Sequence, residues 1–310
     1  MLKGVMLVNM GGPESPEELK TFLSRMFKDP AILPYSKPVR HLLSFIISRS
    51  RYKKSWKKYQ QIGGTPLVQS TIHTTKALQA VLGTTFAIKY AFSYSLPNIG
   101  NTLHDFKKEG ISEILAIPLY PQSSFTTTSS VKADIKKVTD KDPFFKITVQ
   151  EEFYTYPDFV AFWTFHINKH IKELGVENPT LVFSAHSIPE YYVLKGDTYP
   201  TGIINSAALI AEKLGYHYEA AFQSGMKRGI WIGPDVREHL KTMADEGIDN
   251  LVLIPISFVH ENLETMYDLD HELIPYAKDV LGIKNISRVK LPEADLLFVS
   301  MLADLVLKYP

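Results

Sequence analysis

The stretch EGISEILAIP, residues 109–118, decides the fold of this chain. It recurs as EGIDNLVLIP at residues 246–255, an offset of 137 residues. The same offset carries Pro97 onto Pro234, so the region before each stretch is repeated as well. Matching words at one fixed offset are what a duplicated unit leaves in a sequence. The chain is therefore predicted to consist of two structurally similar halves.

Each half alternates short apolar strands with amphipathic segments of helical length. The runs at residues 114–117 and 251–254 are apolar throughout, which is typical of parallel strands covered on both faces by helices. The sequence therefore predicts an α/β fold with a doubly wound parallel sheet in each half. Helices are predicted at residues 16–26, 71–82, 98–109, 157–174, 205–214, 236–246 and 293–307. Ligands of such sheets bind where the strands end, so the loops that follow the strands are the candidate sites.

Length and composition limit what the protein can do. The 310 residues are enough for two domains. The 34 Lys and Arg balance 33 Asp and Glu, which argues against a nucleic-acid partner. Because the chain has no cysteine, disulfides, thiolate zinc sites and cysteine-ligated iron–sulfur clusters are excluded. No apolar run approaches the roughly 20 residues of a bilayer span and no signal peptide is recognised, so a cytoplasmic protein is predicted.

A histidine ends the first apolar strand of the second half. Residues 180–185 lead directly into His186, which places the imidazole at a strand end and therefore at a candidate site. Imidazole exchanges protons near neutral pH, so His186 is a candidate base. The alternative is a structural histidine in a strand-to-helix loop.

Three carboxylates follow the next strand at a spacing of four residues: Glu264, Asp268 and Glu272. If the segment is helical they share one face and repel one another, and the segment itself contains no Lys or Arg to pair with them. Such a row is costly unless it binds cations or carries protons. The alternative is a solvated acidic surface. The segment is not a zincin motif, and the chain lacks a glycine pattern for nucleotide phosphates.

Two further segments are candidates for ligand contact. Residues 119–130 combine aromatic and hydroxyl side chains, and Trp231 lies in a loop of the second half. Tyr120 and Trp231 either line the site or pack in the core. Residues 31–47 are largely apolar and lead into a basic run at residues 49–58. That combination suits a membrane surface or a flat apolar acid, with an ordinary amphipathic helix as the alternative.

Beyond these single features, nine short motifs occur between residues 9 and 268. They are NMGGPE at 9–14, IGGTPL at 62–67, YPQ at 120–122, FSAHSIP at 183–189, GDTYP at 196–200, QS at 223–224, WIGP at 231–234, FV at 258–259 and LETMYD at 263–268. In these motifs and in their order the chain resembles the ferrochelatases of haem biosynthesis, and together the motifs are specific.

The resemblance implies a chelatase-like architecture of two similar Rossmann-like domains with a porphyrin cleft between them. The first domain is expected to comprise residues 1–148, with a cleft lip at about 30–60, and to be completed by a C-terminal helix at 293–310. The second domain is expected to comprise residues 149–292 and to carry the catalytic histidine and the acidic helix.

The resemblance also implies a reaction, the insertion of Fe(II) into protoporphyrin IX to form protohaem with release of two protons. His186 matches the catalytic histidine of the family and Glu264 its partner carboxylate. Asp268 and Glu272 would continue a polar track. All four side chains are therefore expected to contact the metal or the protons that it displaces from the porphyrin. Iron is then a substrate, and no tightly bound cofactor is expected.

Porphyrin contacts are expected from Met10, Tyr120 and Trp231 of the matching motifs, and also from Tyr94 and Ser123. Two positions depart from the family pattern. Ser93 stands where an arginine is usual, and Leu96 where a histidine or aromatic residue is usual. The usual propionate contact is therefore in doubt, and an Arg or Lys of another loop is the expected replacement.

Several alternatives stay open at this stage. Coproporphyrin III is an alternative substrate, although an apolar lip favours protoporphyrin IX taken from a membrane surface. A chelatase for cobalt or nickel shares the expected fold. A non-catalytic porphyrin or haem carrier would use His186 as an axial ligand, but it would have no use for the acidic row. The expected partners are porphyrin and ferrous iron, with a peripheral membrane contact and a monomeric or homodimeric state left open.

Overall fold

The computed structural model describes residues 2–225 and 229–309. The chain divides into two compact units. The first comprises Met1–Tyr120, Ser124–Glu152 and Glu293–Pro310, and the second comprises Pro121–Ser123 and Phe153–Pro292. Each unit contains its own parallel sheet.

The first unit contains the strands β1 (Lys3–Asn9), β2 (Phe86–Phe92), β3 (Glu113–Pro118) and β4 (Lys146–Val149). They form one parallel sheet in the order β2-β1-β3-β4. The helices of this unit are α1 (Pro16–Met26), α2 (Lys37–Gln61), α3 (Pro66–Leu82), α4 (Ile99–Lys108), α5 (Thr128–Thr139) and the C-terminal α11 (Leu296–Leu307). The central strand β1 is buried on both faces, which explains its continuous apolar sequence.

The second unit contains β5 (Thr180–His186), β6 (Tyr218–Gln223), β7 (Asn250–Ile254) and β8 (Asn285–Arg288). They form a parallel sheet in the order β6-β5-β7-β8. The helices of this unit are α6 (Pro157–Leu174), α7 (Glu190–Leu194), α8 (Tyr199–Leu214), α9 (Val236–Asp245), a π-helix (Glu264–Leu273) and α10 (Ile274–Asp279). The predicted α/β fold with two parallel sheets is confirmed.

The two sheets repeat one another in backbone detail as well as in strand order. In the first unit the Phe92 N–H donates to the Pro97 carbonyl, and in the second the Phe222 N–H donates to the Pro234 carbonyl, both at 2.8 Å. These bonds fix the loops after β2 and β6 in the same way. The duplication predicted from the sequence is therefore confirmed.

The helices after these loops also begin and end alike. Asn98 and Asp235 are the N-caps of α4 and α9, and each side chain accepts backbone N–H groups of the first turn. Gly110 and Gly247 follow the C-termini in the left-handed region, with φ of 72° and 77°. Only glycine adopts this conformation at little cost, which explains why both copies keep it.

The predicted helices are confirmed, with differences at some ends and in one helix type. Residues 16–26 and 157–174 coincide with α1 and α6. Helix α3 begins at Pro66 rather than at residue 71. Its buried face includes Ser70, Thr71, Thr74 and Thr75 in place of apolar residues, so hydrophobic periodicity does not mark where the helix begins. The acidic segment is a π-helix, a wider form that is rare and frequent at functional sites.

Among the residues that the structure describes, no helix combines the length and the apolar character needed to cross a bilayer.

Candidate active site

His186 is the last residue of β5 and is held on both sides by hydrogen bonds. Its Nδ1 lies 2.7 Å from the carbonyl oxygen of Ser187, and its own carbonyl accepts the hydroxyl of the buried Tyr199 at 3.0 Å. A carbonyl oxygen only accepts, so Nδ1 carries the hydrogen of this bond, and in the neutral ring Nε2 then carries the lone pair. The imidazole is therefore in the tautomer that a proton acceptor needs, with its ring fixed by the backbone.

The end of β6 lies directly beside His186. Gln223 is the pairing partner of His186 in the sheet, and its carbonyl accepts the Ser187 N–H at 2.8 Å. The next residue, Ser224, has a left-handed backbone with φ of 63°, which is uncommon for a residue with a side chain. Its hydroxyl donates to Asp268 Oδ2 at 3.2 Å. The loop beside His186 is thus joined to the π-helix.

The three predicted carboxylates form one row along the π-helix. Glu264, Asp268 and Glu272 are half-buried, whereas a solvated acidic surface would be exposed. The residue that follows each of them belongs to a buried row made of Thr265, Leu269 and Leu273. The row of carboxylates therefore borders the buried face of the helix. This position disfavours the alternative of a solvated acidic surface.

Three hydrogen bonds fix the beginning of the π-helix. The Asn262 N–H donates to Thr265 Oγ1 and the Thr265 N–H donates to Asn262 Oδ1, each at 3.0 Å. The Thr265 hydroxyl also donates to Glu261. Because these groups are buried or half-buried and satisfy one another, the chain enters the helix in a defined direction.

Trp231 lies next to the His186 loop in the same unit. Its backbone forms an antiparallel bridge with Pro189, and the neighbouring Ile232 carbonyl accepts the Ser187 hydroxyl at 2.8 Å. The side chain of Trp231 packs close to Gly225. The structure therefore brings Trp231 to the segment that carries His186, as a half-buried residue. Ser123, which belongs to this unit, is also half-buried.

The remaining predicted contacts belong to the first unit. Met10 follows β1, and its carbonyl accepts the Tyr94 N–H at 3.1 Å. The side chain of Tyr94 is buried, and its hydroxyl donates to Asp29 Oδ2 at 2.9 Å. Burial raises the pKa of Tyr94 well above its usual value, and Asp29 and Tyr120 raise it further. Tyr120 is half-buried and packs on the core cluster of this unit. Contact of Tyr94 with a ligand stays a prediction.

The loop that contains Ser93 has a basic neighbour that sequence reasoning missed. The Arg25 guanidinium, on α1, donates to the Tyr94 carbonyl at 3.3 Å. Arg25 and Tyr94 are 69 residues apart in the sequence, so no local sequence pattern indicates this contact. Replacement of the usual arginine by a basic residue of another loop stays a prediction.

The metal-ligand set also stays a prediction. Within residues 2–225 and 229–309, no three His, Asp or Glu side chains are arranged to hold a metal ion. His186, Glu264, Asp268 and Glu272 therefore do not form a closed cage.

The architecture is similar to that of solved chelatases, which have the same two-sheet fold. SirB from Bacillus subtilis, solved with Fe3+, superposes with a TM-score of 0.61 at 14% identity and covers 98% of this chain and 95% of its own. CbiX, described as the terminal enzyme for siroheme biosynthesis in denitrifying bacteria, gives a TM-score of 0.51 at 12% identity, with 99% and 100% coverage. At these identities the similarity shows the fold alone.

Sequence comparison is more specific. A sequence model of the ferrochelatase family matches residues 2–309. The ferrochelatase of Aquifex aeolicus is 35% identical over 310 residues, 99% of each chain, and that of Geotalea uraniireducens is 33% identical over 309 residues, 98% of this chain and 97% of its own. The chain belongs to the ferrochelatase family.

Proposed function

We propose that the protein inserts Fe(II) into protoporphyrin IX and releases two protons. The reaction replaces the two pyrrole N–H protons of the porphyrin by one divalent cation, so charge is conserved. It therefore needs a proton acceptor near the ring and a route by which protons leave. The observation that carries the proposal is the hydrogen bond between His186 Nδ1 and the Ser187 carbonyl, which leaves Nε2 of the neutral ring to accept a proton.

The acidic row supplies the second requirement. In the proposed mechanism His186 accepts a pyrrole proton, and Glu264 acts as its partner carboxylate. Asp268 and Glu272 continue the row, accept protons and give transient contacts to the incoming iron. Half-burial supports this role because it strengthens electrostatic interactions relative to bulk water. Iron is a substrate here rather than a resident cofactor.

Ring contacts are proposed from five residues. In the second unit, Ser123 and Trp231 are half-buried residues that keep part of their surface accessible to a flat ligand. In the first unit, Met10 and Tyr120 are half-buried, while Tyr94 supports Met10 through the backbone. Pressure of such groups on the macrocycle would distort it and expose nitrogen lone pairs to the metal.

Helix α2 supports the proposed preference for an apolar porphyrin taken from a membrane surface. Leu42, Phe45 and Ile46 are each more than half exposed on its first half. Its second half carries basic residues from Arg49 onward, and the whole helix contains no acidic residue. An apolar stripe next to cations binds anionic lipid surfaces, where a porphyrin with little charge also dissolves.

Vesicle sedimentation tests this membrane contact. We expect binding to vesicles that contain anionic phosphatidylserine and none to purely zwitterionic vesicles. Replacing Leu42 and Phe45 by Ser should weaken binding, whereas Leu194→Ser, an exposed leucine of the other unit, should not. Equal binding of both variants would contradict a role for α2. The cytoplasmic location stays a prediction.

The reaction is tested by anaerobic incubation with either protoporphyrin IX or coproporphyrin III and with Fe(II), Co(II) or Zn(II). Metal insertion is followed by porphyrin absorbance. We expect turnover with Fe(II) and faster turnover with protoporphyrin IX. Faster turnover with coproporphyrin III would reverse the substrate assignment, and preference for cobalt would reverse that of the metal. Tight porphyrin binding without any insertion would identify a carrier instead.

A further inference from the structure

Arg288, the last residue of β8, sends a buried guanidinium to two acidic residues of the π-helix region. Its side chain is only 2% exposed. Its Nε and Nη2 donate to Oδ1 and Oδ2 of Asp270 at 2.8 and 2.6 Å, and its Nη1 donates to Oε1 of Glu261 at 2.9 Å. The pairing with Asp270 is thus bidentate, the geometry in which a guanidinium fixes the direction of a carboxylate.

The two acidic residues lie on either side of the first turn of the π-helix. Glu261 precedes Glu264, the first residue of the helix, and Asp270 lies within it. Glu261 also accepts the Leu291 N–H at 2.9 Å, which fastens the approach to the helix to the segment after β8. Burial alone would lower the pKa of Arg288, but the hydrogen bonds and charges of Asp270 and Glu261 more than offset this and raise it. One cation therefore holds the chain both before and inside the helix.

This attachment is sensitive to the helix type. Successive side chains turn by about 100° in an α-helix and by roughly 80° in the wider π-form. Over the six steps from Glu264 to Asp270, a change from π to α would therefore turn Asp270 by about 120° relative to Glu264. The two parallel hydrogen bonds to Arg288 would then be lost.

We propose that Arg288 is a positioning residue for metal insertion, which acts by holding the acidic segment in the π-helical form. Arg288 contacts the segment through Asp270, which lies on a different face of the helix from the row of Glu264, Asp268 and Glu272. Through this pairing it keeps Asp268 in reach of Ser224, beside His186, and sets the spacing of Glu264 along the same row. The inference rests on the proposed function, because the row has a task only if protons or metal use it.

The test uses Asp270→Asn, which keeps the side-chain volume but removes the charge and one strong acceptor. The matched control is Asp249→Asn, because Asp249 pairs with Lys284 at 2.5 Å on an exposed part of the same sheet. We expect kcat for metal insertion to fall roughly tenfold or more in Asp270→Asn, with the KM for porphyrin changed less than about twofold. Asp249→Asn should retain the kcat of the unchanged protein.

Arg288→Lys is the second variant. It keeps the buried positive charge beside Asp270 and Glu261 and thereby supports folding. A lysine cannot, however, form the bidentate pair. We expect a loss of kcat similar to that of Asp270→Asn and no further loss when the two changes are combined. Hydrogen–deuterium exchange of residues 264–273 should accelerate in both variants and not in Asp249→Asn.

Several results would overturn the inference. One is an unchanged kcat in both variants, even if their thermal stability falls, because Arg288 would then be structural only. Another is a reduced kcat with unchanged exchange over residues 264–273. If the unchanged protein inserts no metal, the proposed function fails, while the exchange experiment still decides whether Arg288 holds the helix.

Discussion

The two units share a backbone plan but differ in the side chains at equivalent strand ends. The Leu119 N–H donates to the Val8 carbonyl at 2.8 Å, and in the second unit the Ile256 N–H donates to the Ser184 carbonyl at 3.1 Å. Two residues beyond these carbonyls stand Met10 and His186. A thioether and an imidazole therefore occupy matching places. The duplication preserved the backbone arrangement. At this position, only the side chain of the second unit can exchange protons near neutral pH.

The elements after β3 and β7 differ in the same sense. At the offset of 137 residues, Thr127 corresponds to Glu264. In the first unit this region continues as the α-helix α5, rich in hydroxyl groups, and in the second as the acidic π-helix. A hydroxyl neither holds a divalent cation well nor takes up a proton near neutral pH, but a carboxylate binds cations readily. The groups suited to the proposed proton and metal handling are therefore those of the second unit.

Substitution of His186, compared with substitution of the matching Met10, should give the largest effect. We expect His186→Ala to lower the rate of metal insertion by about 100-fold or more, because no other group replaces the positioned base. Porphyrin binding, measured by fluorescence quenching, should survive. Met10→Ala should weaken porphyrin binding and leave kcat largely intact. Equal insertion rates in His186→Ala and the unchanged protein would contradict the role of His186.

The acidic row should give the next largest effect. Glu264→Gln keeps the shape of the side chain but removes its proton-accepting charge, so we expect kcat to fall by roughly 100-fold. The control is Glu246→Gln, at an exposed position after α9 in the same unit, which should change little. A near-normal rate in Glu264→Gln would indicate that the acidic row is only a polar surface.

The pH dependence of stability should reveal His260 of the second unit, which has no titrating counterpart. Burial lowers the pKa of His260 to about 3 in the folded protein, whereas the unfolded chain has the ordinary value near 6.5. At the offset of 137 residues the matching position is Ser123, which does not titrate. Above pH 6.5 both states are neutral. Between pH 6.5 and 3 the unfolded state takes up the proton, so stability falls by up to about 1.4 kcal/mol per pH unit.

Urea unfolding at pH 7, 5.5 and 4.5 measures this contribution. We expect His260→Gln to be less stable than the unchanged protein at pH 7 and to lose less stability on acidification, because the variant has no proton to take up at this position. Parallel loss of stability in both proteins would show that His260 does not contribute to the acid sensitivity.

The matched helix caps should give the smallest effect. Asn98→Ala and Asp235→Ala should each lower the free energy of unfolding by about 1 kcal/mol, since each removes an acceptor for N–H groups of the first turn. The loss at Asp235 should be larger by a few tenths of a kcal/mol, roughly the contribution of a negative charge at a helix N-terminus. Lys241→Ala, exposed on α9, serves as the control in urea unfolding. Equal stability of the Asp235→Ala and Lys241→Ala variants would contradict the capping role.

Prediction from sequence succeeded where the information was local or repeated. The apolar runs and the duplicated stretches predicted two parallel sheets, because burial on both faces demands such residues regardless of their neighbours. The start of α3 was missed because Ser70, just before the predicted first residue Thr71, faces inward, and hydrophobic periodicity does not register a buried hydroxyl. The π-helix was missed because a spacing of four residues fits both helix types.

The sequence by itself determined the α/β fold, the duplication, the family and the placement of His186 at a strand end. Tertiary structure alone decided that Arg288 pairs with Glu261 and Asp270, that Tyr94 is buried on Asp29, and that Nε2 of His186 carries the lone pair. The physical reason is the range of the interactions. Periodicity and motifs record what one segment needs locally, whereas a buried ion pair or a chosen tautomer depends on groups that only the pairing of distant strands and helices brings within about 3 Å.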